Sequence, residues 1–305
     1  MQLRFDGRTA IVTGAGTGLG RQHALLLASR GAAVVVNDPG RAADGSSTAD
    51  AVVQEIRDAG GAAVADTNSI ATPDGGTELV AACADTFGRV DIVVNNAGIV
   101  RDTTFAKLTP DLIDPVLDVH LKGAFYVTQP AFGYMKAAGY GRIVFTTSAA
   151  GLFGNFGQTN YGAAKMGLVG LARVLNLEGA KYGIAANVVA PIAATAMSAG
   201  ILDEEWERRL DPSLVSPVVA FLTHESCDVS GQIFSAAAGR VARIFIGEGP
   251  GFYSPTLTPE AVRDQWDVIC SEDGYATPMS AADERELLVA AFAGHKVMPA
   301  APPIS

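Results

Sequence analysis

Short runs that are apolar on both faces alternate with amphipathic stretches of helical length through most of this chain, and that alternation constrains the fold more than any other feature. Thr9-Ala10-Ile11-Val12-Thr13 is the first such run, and glycines follow it directly. A strand over 9–13 is predicted, then a helix over 19–29 that stops before Gly31, a residue suited to a helix end. The pattern repeats, with strands over 33–37, 62–65, 91–95, 142–147 and 184–189 and helices over 49–59, 79–87, 114–138 and 161–181. Strands without a polar face need cover on both sides, and helical crossovers between them make them parallel. The predicted fold class is therefore α/β: a doubly wound parallel sheet of Rossmann type with a C-terminal extension. Ligands of such sheets lie outside the carboxyl ends of the strands.

With 305 residues, 49% of them hydrophobic, the chain can bury one large core plus a small appendage. The main domain is assigned to 1–238. From 239 the pattern changes, because Gly247, Gly249, Pro250, Gly251, Pro255 and Pro259 interrupt the chain before a helical stretch over 260–270. Pro299-Ala300-Ala301-Pro302-Pro303 reads as a frayed tail. Against 22 Lys and Arg stand 32 Asp and Glu, a net charge of −10 with no basic run, which argues against a nucleic-acid or anionic-membrane partner. Cys83, Cys227 and Cys270 form no CxxC pair and no even-numbered framework, which suits buried thiols in a reducing compartment. Residues 1–8 lack an apolar signal core and no run approaches the ~20 apolar residues of a membrane helix, so the expected location is cytoplasmic. His23, His120, His224 and His295 are scattered, and no metal site is expected.

Thr13-Gly14-Ala15-Gly16-Thr17-Gly18-Leu19-Gly20 sits where the first strand opens into the first helix. Glycines there let the backbone turn tightly and approach a pyrophosphate, whose charge meets free N–H groups at the helix N-terminus. Gly14, Thr17, Gly18, Leu19 and Gly20 are the candidate contacts. Asp38 ends the second strand about 18 residues further on, where a carboxylate can accept from the adenosine ribose hydroxyls and would repel a 2′-phosphate. This favours NAD, although Arg41 close by keeps NADP open.

Tyr161 and Lys165 are spaced i,i+4 at the start of a predicted helix and share one face. An ammonium beside a phenol favours phenolate, so Lys165 is expected to bring Tyr161 down from its ordinary value near ~10 and make it a usable base. Taken alone the pair reads equally as a surface contact. Ser148 changes that, because it follows the strand over 142–147 at the sheet edge where Tyr161 would also arrive, and its hydroxyl can hold a substrate oxygen.

Thr13-Gly14, Gly18 and Gly20, then Asn95-Asn96-Ala97-Gly98, Ser148, and Tyr161 with Lys165 resemble the short-chain dehydrogenase/reductase family in order and spacing. The resemblance implies an alcohol dehydrogenase in which Asn96, Ala97 and Gly98 line the adenosine-ribose side and Lys165 also binds the nicotinamide ribose. It further implies that Ile192 and Thr195, after Pro191, hold the carboxamide. Two positions depart from the family pattern. His120 stands where most members carry Asn, so a proton relay through Lys165 is either rebuilt around it or replaced by a buried structural His. Asn68, beside Ser69, stands where many carry an Asp against the adenine, and its amide oxygen can accept the same hydrogen bond.

Arg4-Phe5-Asp6-Gly7-Arg8, Val35-Val36-Asn37-Asp38, Val119-His120-Leu121, Gly154-Asn155-Phe156-Gly157-Gln158 and Thr258-Pro259-Glu260-Ala261-Val262 narrow the resemblance. They look like the (3R)-hydroxyacyl-CoA dehydrogenase unit of peroxisomal multifunctional enzymes. That likeness implies NAD-dependent oxidation of a (3R)-3-hydroxyacyl-CoA, a homodimer, and an extension that covers the active site or the dimer surface. A hydroxysteroid or steroid-CoA dehydrogenase, a reductase of ketoacyl carrier protein and a catalytically silent dinucleotide sensor remain as rivals.

Overall fold

The apolar runs become strands of one sheet: β1 (Thr9–Thr13), β2 (Ala33–Asn37), β3 (Ala62–Asp66), β4 (Ile92–Asn95), β5 (Gly141–Thr146), β6 (Ile184–Ile192), β7 (Ile233–Ala237) and β8 (Arg240–Ile244). The computed structural model describes residues 2–194 and 204–294. Strand order is β3-β2-β1-β4-β5-β6-β7-β8, parallel throughout except for β8, which pairs antiparallel with β7. In the first compact unit the helices are α1 (Gly18–Ser29), α2 (Thr48–Asp58), α3 (Pro73–Phe87), α4 (Pro110–Leu117), α5 (Gly123–Ala138), α6 (Ala149–Phe153), α7 (Thr159–Gly179), α8 (Glu204–Arg209) and α9 (Ser216–Thr223).

Every residue of β1, β4 and β5 is buried, as strands covered on both faces must be. Alternation splits them between two cores. Ala10, Val12, Val34 and Val36 pack with Leu27 of α1, Ile56 of α2 and Leu222 of α9. Ile11, Val35, Val93 and Phe145 pack on the other face with Leu79 of α3, Val127 of α5 and Leu168 of α7. Each fully buried Val, Ile or Leu contributes about 1.5–3 kcal/mol, so the two layers fix the sheet rigidly enough to place side chains at its carboxyl edge. Order reverses between β1 and β4, and the crevice opens there.

Three differences from the sequence reading have physical causes. The helix expected over 114–138 is broken: α4 ends at Leu117, a π-helical turn occupies Asp118–Lys122, and α5 starts at Gly123. An extra residue in one turn re-aims a side chain without disturbing the apolar pattern on either side, and such turns recur at functional sites. Strand β6 runs past the expected end at 189 to Ile192 despite Pro191. There β5 no longer pairs with it, so the missing N–H of Pro191 faces an open edge. The boundary drawn at 238/239 falls on the turn between β7 and β8, where Ala238 and Gly239 both have positive φ (49° and 78°), the geometry of a tight hairpin.

The chain divides into two compact units, Met1–Ile244 and Phe245–Ser305. The second holds α10 (Pro259–Asp264), α11 (Trp266–Ile269) and α12 (Ala281–Gly294). Within it Glu248 and Ala276 exchange backbone hydrogen bonds of 2.9 Å, and Phe245 stacks on Tyr275 at 5.4 Å. None of its described residues is buried. Cys83 and Cys227 are buried as expected of free thiols, whereas Cys270, in the second unit, is exposed. No described helix is long and apolar enough to cross a membrane.

Candidate active site

The glycine turn after β1 is cross-braced from β4. Gly14 has φ +62°, and a Cβ there would meet the Ala97 backbone at 2.7 Å. The Thr13 hydroxyl accepts from the N–H groups of Asn96 (3.0 Å) and Ala97 (3.1 Å), while Asn96 Nδ2 donates to the carbonyls of Thr13 and Gly14. Gly18 also has positive φ, and Thr17 leads into α1 without a side-chain cap, leaving the first N–H groups of the helix, including that of Leu19, open to a ligand. A Cβ on Gly20 would collide with the Gly14 carbonyl, and one on Gly16 with Thr48 and Asp38. The cradle keeps its shape only with glycines, and it suits a dinucleotide pyrophosphate.

Asp38 sits at the carboxyl end of β2, its two oxygens accepting from Gly16 N (2.8 Å) and Gly40 N (2.7 Å). Each oxygen keeps a second acceptor site for ribose hydroxyls. Arg41 turns away to the Gly45 carbonyl at 3.0 Å. Asn68 donates through Nδ2 to Asp66 (3.0 Å), which leaves its amide oxygen as the acceptor, and Ser69 follows it in the same loop. Asp66, the last residue of β3, also receives Asn37 Nδ2 at 2.6 Å and so organises the loop. Sequence reading missed this carboxylate; its signal was an acidic residue at a strand end. Ile192 ends β6 half-exposed, and Thr195 lies outside the described residues.

At the far side of the crevice Ser148 precedes α6, its Oγ accepting from Ala150 N at 3.2 Å. The Ser148 hydroxyl is near enough to the Tyr161 phenol to draw its pKa down. Gly151 permits the approach of α6 to α7, since a Cβ there would stand 2.8 Å from that of Lys165. Lys165 is buried, with Nζ donating to Thr146 O at 2.6 Å and lying 5.4 Å from the Tyr161 ring centroid.

His120 projects from the π-helical turn, and its ring stands edge-on to Tyr161 with centroids 5.1 Å apart. The ring packs directly over Gly98, where any side chain would overlap it. Both the N–H (3.0 Å) and the carbonyl (2.7 Å) of Ile99 face Nε2. Two lone pairs would repel at the shorter distance, so we assign the hydrogen to Nε2. Nδ1 is then a buried acceptor with no partner among the described residues. Burial, reinforced by Lys165, holds this imidazole neutral down to about 3.

Burial, not Lys165, sets the direction of the Tyr161 shift, and the phenol lies above its ordinary value rather than below it. Burial raises the phenol above its ordinary value of 10; Ser148 pulls it down, and Asp102 pushes it up. Lys165 is itself lowered by burial to about 7, and its ammonium is directed at Thr146 rather than at the phenol oxygen. Sequence spacing shows that two groups share a helix face but not how dry that face is.

Residues 8–206 match the family model described as short chain dehydrogenase. The chain belongs to the short-chain dehydrogenase family. Among members it is similar to the peroxisomal multifunctional enzyme type 2 of Drosophila melanogaster, 50% identical over 274 residues, a match covering 87% of this chain and 45% of that protein. The full-length structure of that enzyme superposes with a TM-score of 0.83 at 42% identity, over 96% of this chain and 51% of that one. This short-chain dehydrogenase therefore spans about half the length of that relative. The hydroxyacyl-CoA dehydrogenase ChsB1 of Mycobacterium tuberculosis is 38% identical over 283 residues, covering 85% of this chain and 89% of that one. A 7α-hydroxysteroid dehydrogenase complexed with NADH and 7-oxo glycochenodeoxycholic acid aligns with a TM-score of 0.71 at 31% identity, over 77% of this chain and 95% of the other.

A cavity of about 720 Å³ lies at the opposite, amino end of the sheet, against Arg4, Arg8, Leu25, Ile56 and Arg89. It touches none of the site residues above.

Proposed function

We propose that this chain is an NAD-dependent dehydrogenase that oxidises a (3R)-3-hydroxyacyl-CoA to the 3-ketoacyl-CoA. The observation that carries the reading is the convergence of Ser148, Tyr161 and Lys165 at the mouth of the glycine-lined crevice. Similarity to a multifunctional enzyme and to a hydroxyacyl-CoA dehydrogenase supports the substrate class. Asp38 at the ribose position, with Arg41 turned away, supports NAD over NADP. When bound, the nicotinamide supplies the hydride acceptor. The Ser148 hydroxyl holds the substrate oxygen, and Tyr161 takes the hydroxyl proton. Lys165 would hold the nicotinamide ribose, and His120, neutral with Nδ1 open, would accept a proton passed on from that side of the site.

Initial rates at 340 nm, with NAD or NADP, on (3R)- and (3S)-3-hydroxyacyl-CoA thioesters and on hydroxysteroids test the reading. Turnover is expected on the (3R) thioesters with NAD. The likeness to a hydroxysteroid dehydrogenase favours a second reading, and activity confined to steroid alcohols would replace the thioester assignment with it.

We further propose a homodimer. The exposed face of α7 carries Ala163, Met166, Gly170, Val174 and Leu177, an unbroken apolar stripe at helical spacing, beside Phe125 and Gly133 exposed on α5. Surface helices ordinarily turn a polar face to water. The double variant Val174→Asp with Leu177→Asp is expected to be monomeric by light scattering; a dimer of unchanged mass would exclude α7 as the interface.

A further inference from the structure

We infer that Asn160 is a positioning residue for Tyr161, locking the phenol to the segment after β4 through hydrogen bonds that use both N–H groups of its amide and its oxygen. The inference rests on the reading of Tyr161 as the proton acceptor. Asn160 lies in the first turn of α7 and is only 4% exposed. Its Nδ2 donates to Arg101 O at 3.0 Å and to Leu112 O at 2.7 Å, and its Oδ1 accepts from Tyr161 N at 2.8 Å. One side chain thus ties α7 to the segment after β4 and to α4, both remote in sequence. With both donors committed to carbonyls, Asn160 has no N–H left for a substrate. It acts through Tyr161.

These bonds close a circuit. Ile99, two residues before Arg101, holds His120 Nε2, and the His120 ring stands against the Tyr161 ring. Tyr161 is therefore fixed to the segment over 99–101 twice, on its ring by way of His120 and on its backbone by way of Asn160. An outer pair of bonds continues the clamp, with Thr103 N donating to Gly157 O at 2.9 Å and Gln158 Nε2 to Asp102 at 2.7 Å. Asp102, carried on this clamped segment, is also a charge that Tyr161 senses. The register held by Asn160 consequently sets both where the phenol sits and what field it sits in. A displacement of the order of 1 Å at such a group can cost about 100-fold in rate.

Asn160→Ala removes the tie and admits water. It is expected to lower kcat on the thioester that the panel identifies by about 10- to 100-fold, with the NADH dissociation constant from fluorescence unchanged. The phenolate absorbance at 295 nm, taken as a difference against Tyr161→Phe, should show Tyr161 ionising at lower pH than in the native protein. Asn160→Asp keeps an acceptor for Tyr161 N but removes the amide donors and places a negative charge beside the phenol. It too should lower kcat, while the phenol ionises at higher pH. Opposite shifts at a common loss of kcat are a signature that loosened packing does not produce. Should Asn160→Ala fail to fold, the near-isosteric Asn160→Asp decides alone. Unchanged kcat, or an unmoved phenol in a folded variant, overturns the inference. Turnover retained by Tyr161→Phe would instead remove the reading of Tyr161 itself.

Discussion

Tyr161→Phe is expected to lower kcat by about 1,000-fold while NADH binds as before, within the range that a positioned proton acceptor contributes. The substitution keeps the ring that stands against His120 and removes only the oxygen whose pKa Ser148 draws down. Loss of rate would therefore report chemistry rather than collapse of the site. The pH dependence carries a second part of the argument. Burial raises the phenol above 10, so at neutral pH it holds its proton, ready to protonate a ketone in the reverse direction. Oxidation requires that proton to leave first. The oxidation rate should consequently rise with pH over the range where reduction does not, and Ser148→Ala should move the rise to higher pH, because Ser148 is the group that pulls the phenol down. Initial rates in both directions between pH 6 and 10 read this out, and undiminished turnover in Tyr161→Phe would show that the base is another group.

The alternation of apolar runs made the doubly wound sheet legible, because strands such as β1 and β5 had no polar face to present to water. The glycine turn was legible for a related reason: Gly14 and Gly20 occupy places where backbone touches backbone, and only one residue type fits. That Ser148, Tyr161 and Lys165 come together at one edge of the sheet was legible from their order and spacing. What remained hidden depends on distances across the fold. The π-helical turn leaves the apolar pattern of α4 and α5 intact, so its effect, bringing His120 over Gly98, has no trace in periodicity. Asp66 and Asn160 work through partners from other segments, and neither stands out from the many Asp and Asn residues of strand ends and helix starts. The direction of the Tyr161 shift depended on burial against charge, a balance that residue identities alone do not contain.

The folded protein is expected to lose stability steeply on mild acidification, at about 2.7 kcal/mol per pH unit between pH 6 and 4.5 from two buried histidines together. His23, on α1, is fully enclosed with Nδ1 against Ser216 Oγ at 2.8 Å, and burial lowers it from 6.5 to about 3. His120, facing Tyr161 and Lys165, is lowered to about 3 by burial and then by Lys165. Below pH 6.5 the unfolded chain takes up a proton at each imidazole that the folded chain refuses. The unfolded state then binds more protons, and the free energy of unfolding falls with pH by about 1.4 kcal/mol per unit for each group. Above pH 6.5 neither group contributes a slope, and near 3 the loss is complete. Urea unfolding at intervals from pH 7.5 to 4.5 measures it. His23→Gln, which cannot take up the proton in either state and lies away from the crevice, should halve the slope and leave turnover unchanged. His120→Asn should halve it equally but alter the rate if the imidazole serves the proton path. A slope unaffected by His23→Gln would mean that His23 is protonated in the folded state, and an unchanged rate in His120→Asn would assign His120 to packing over Gly98 alone.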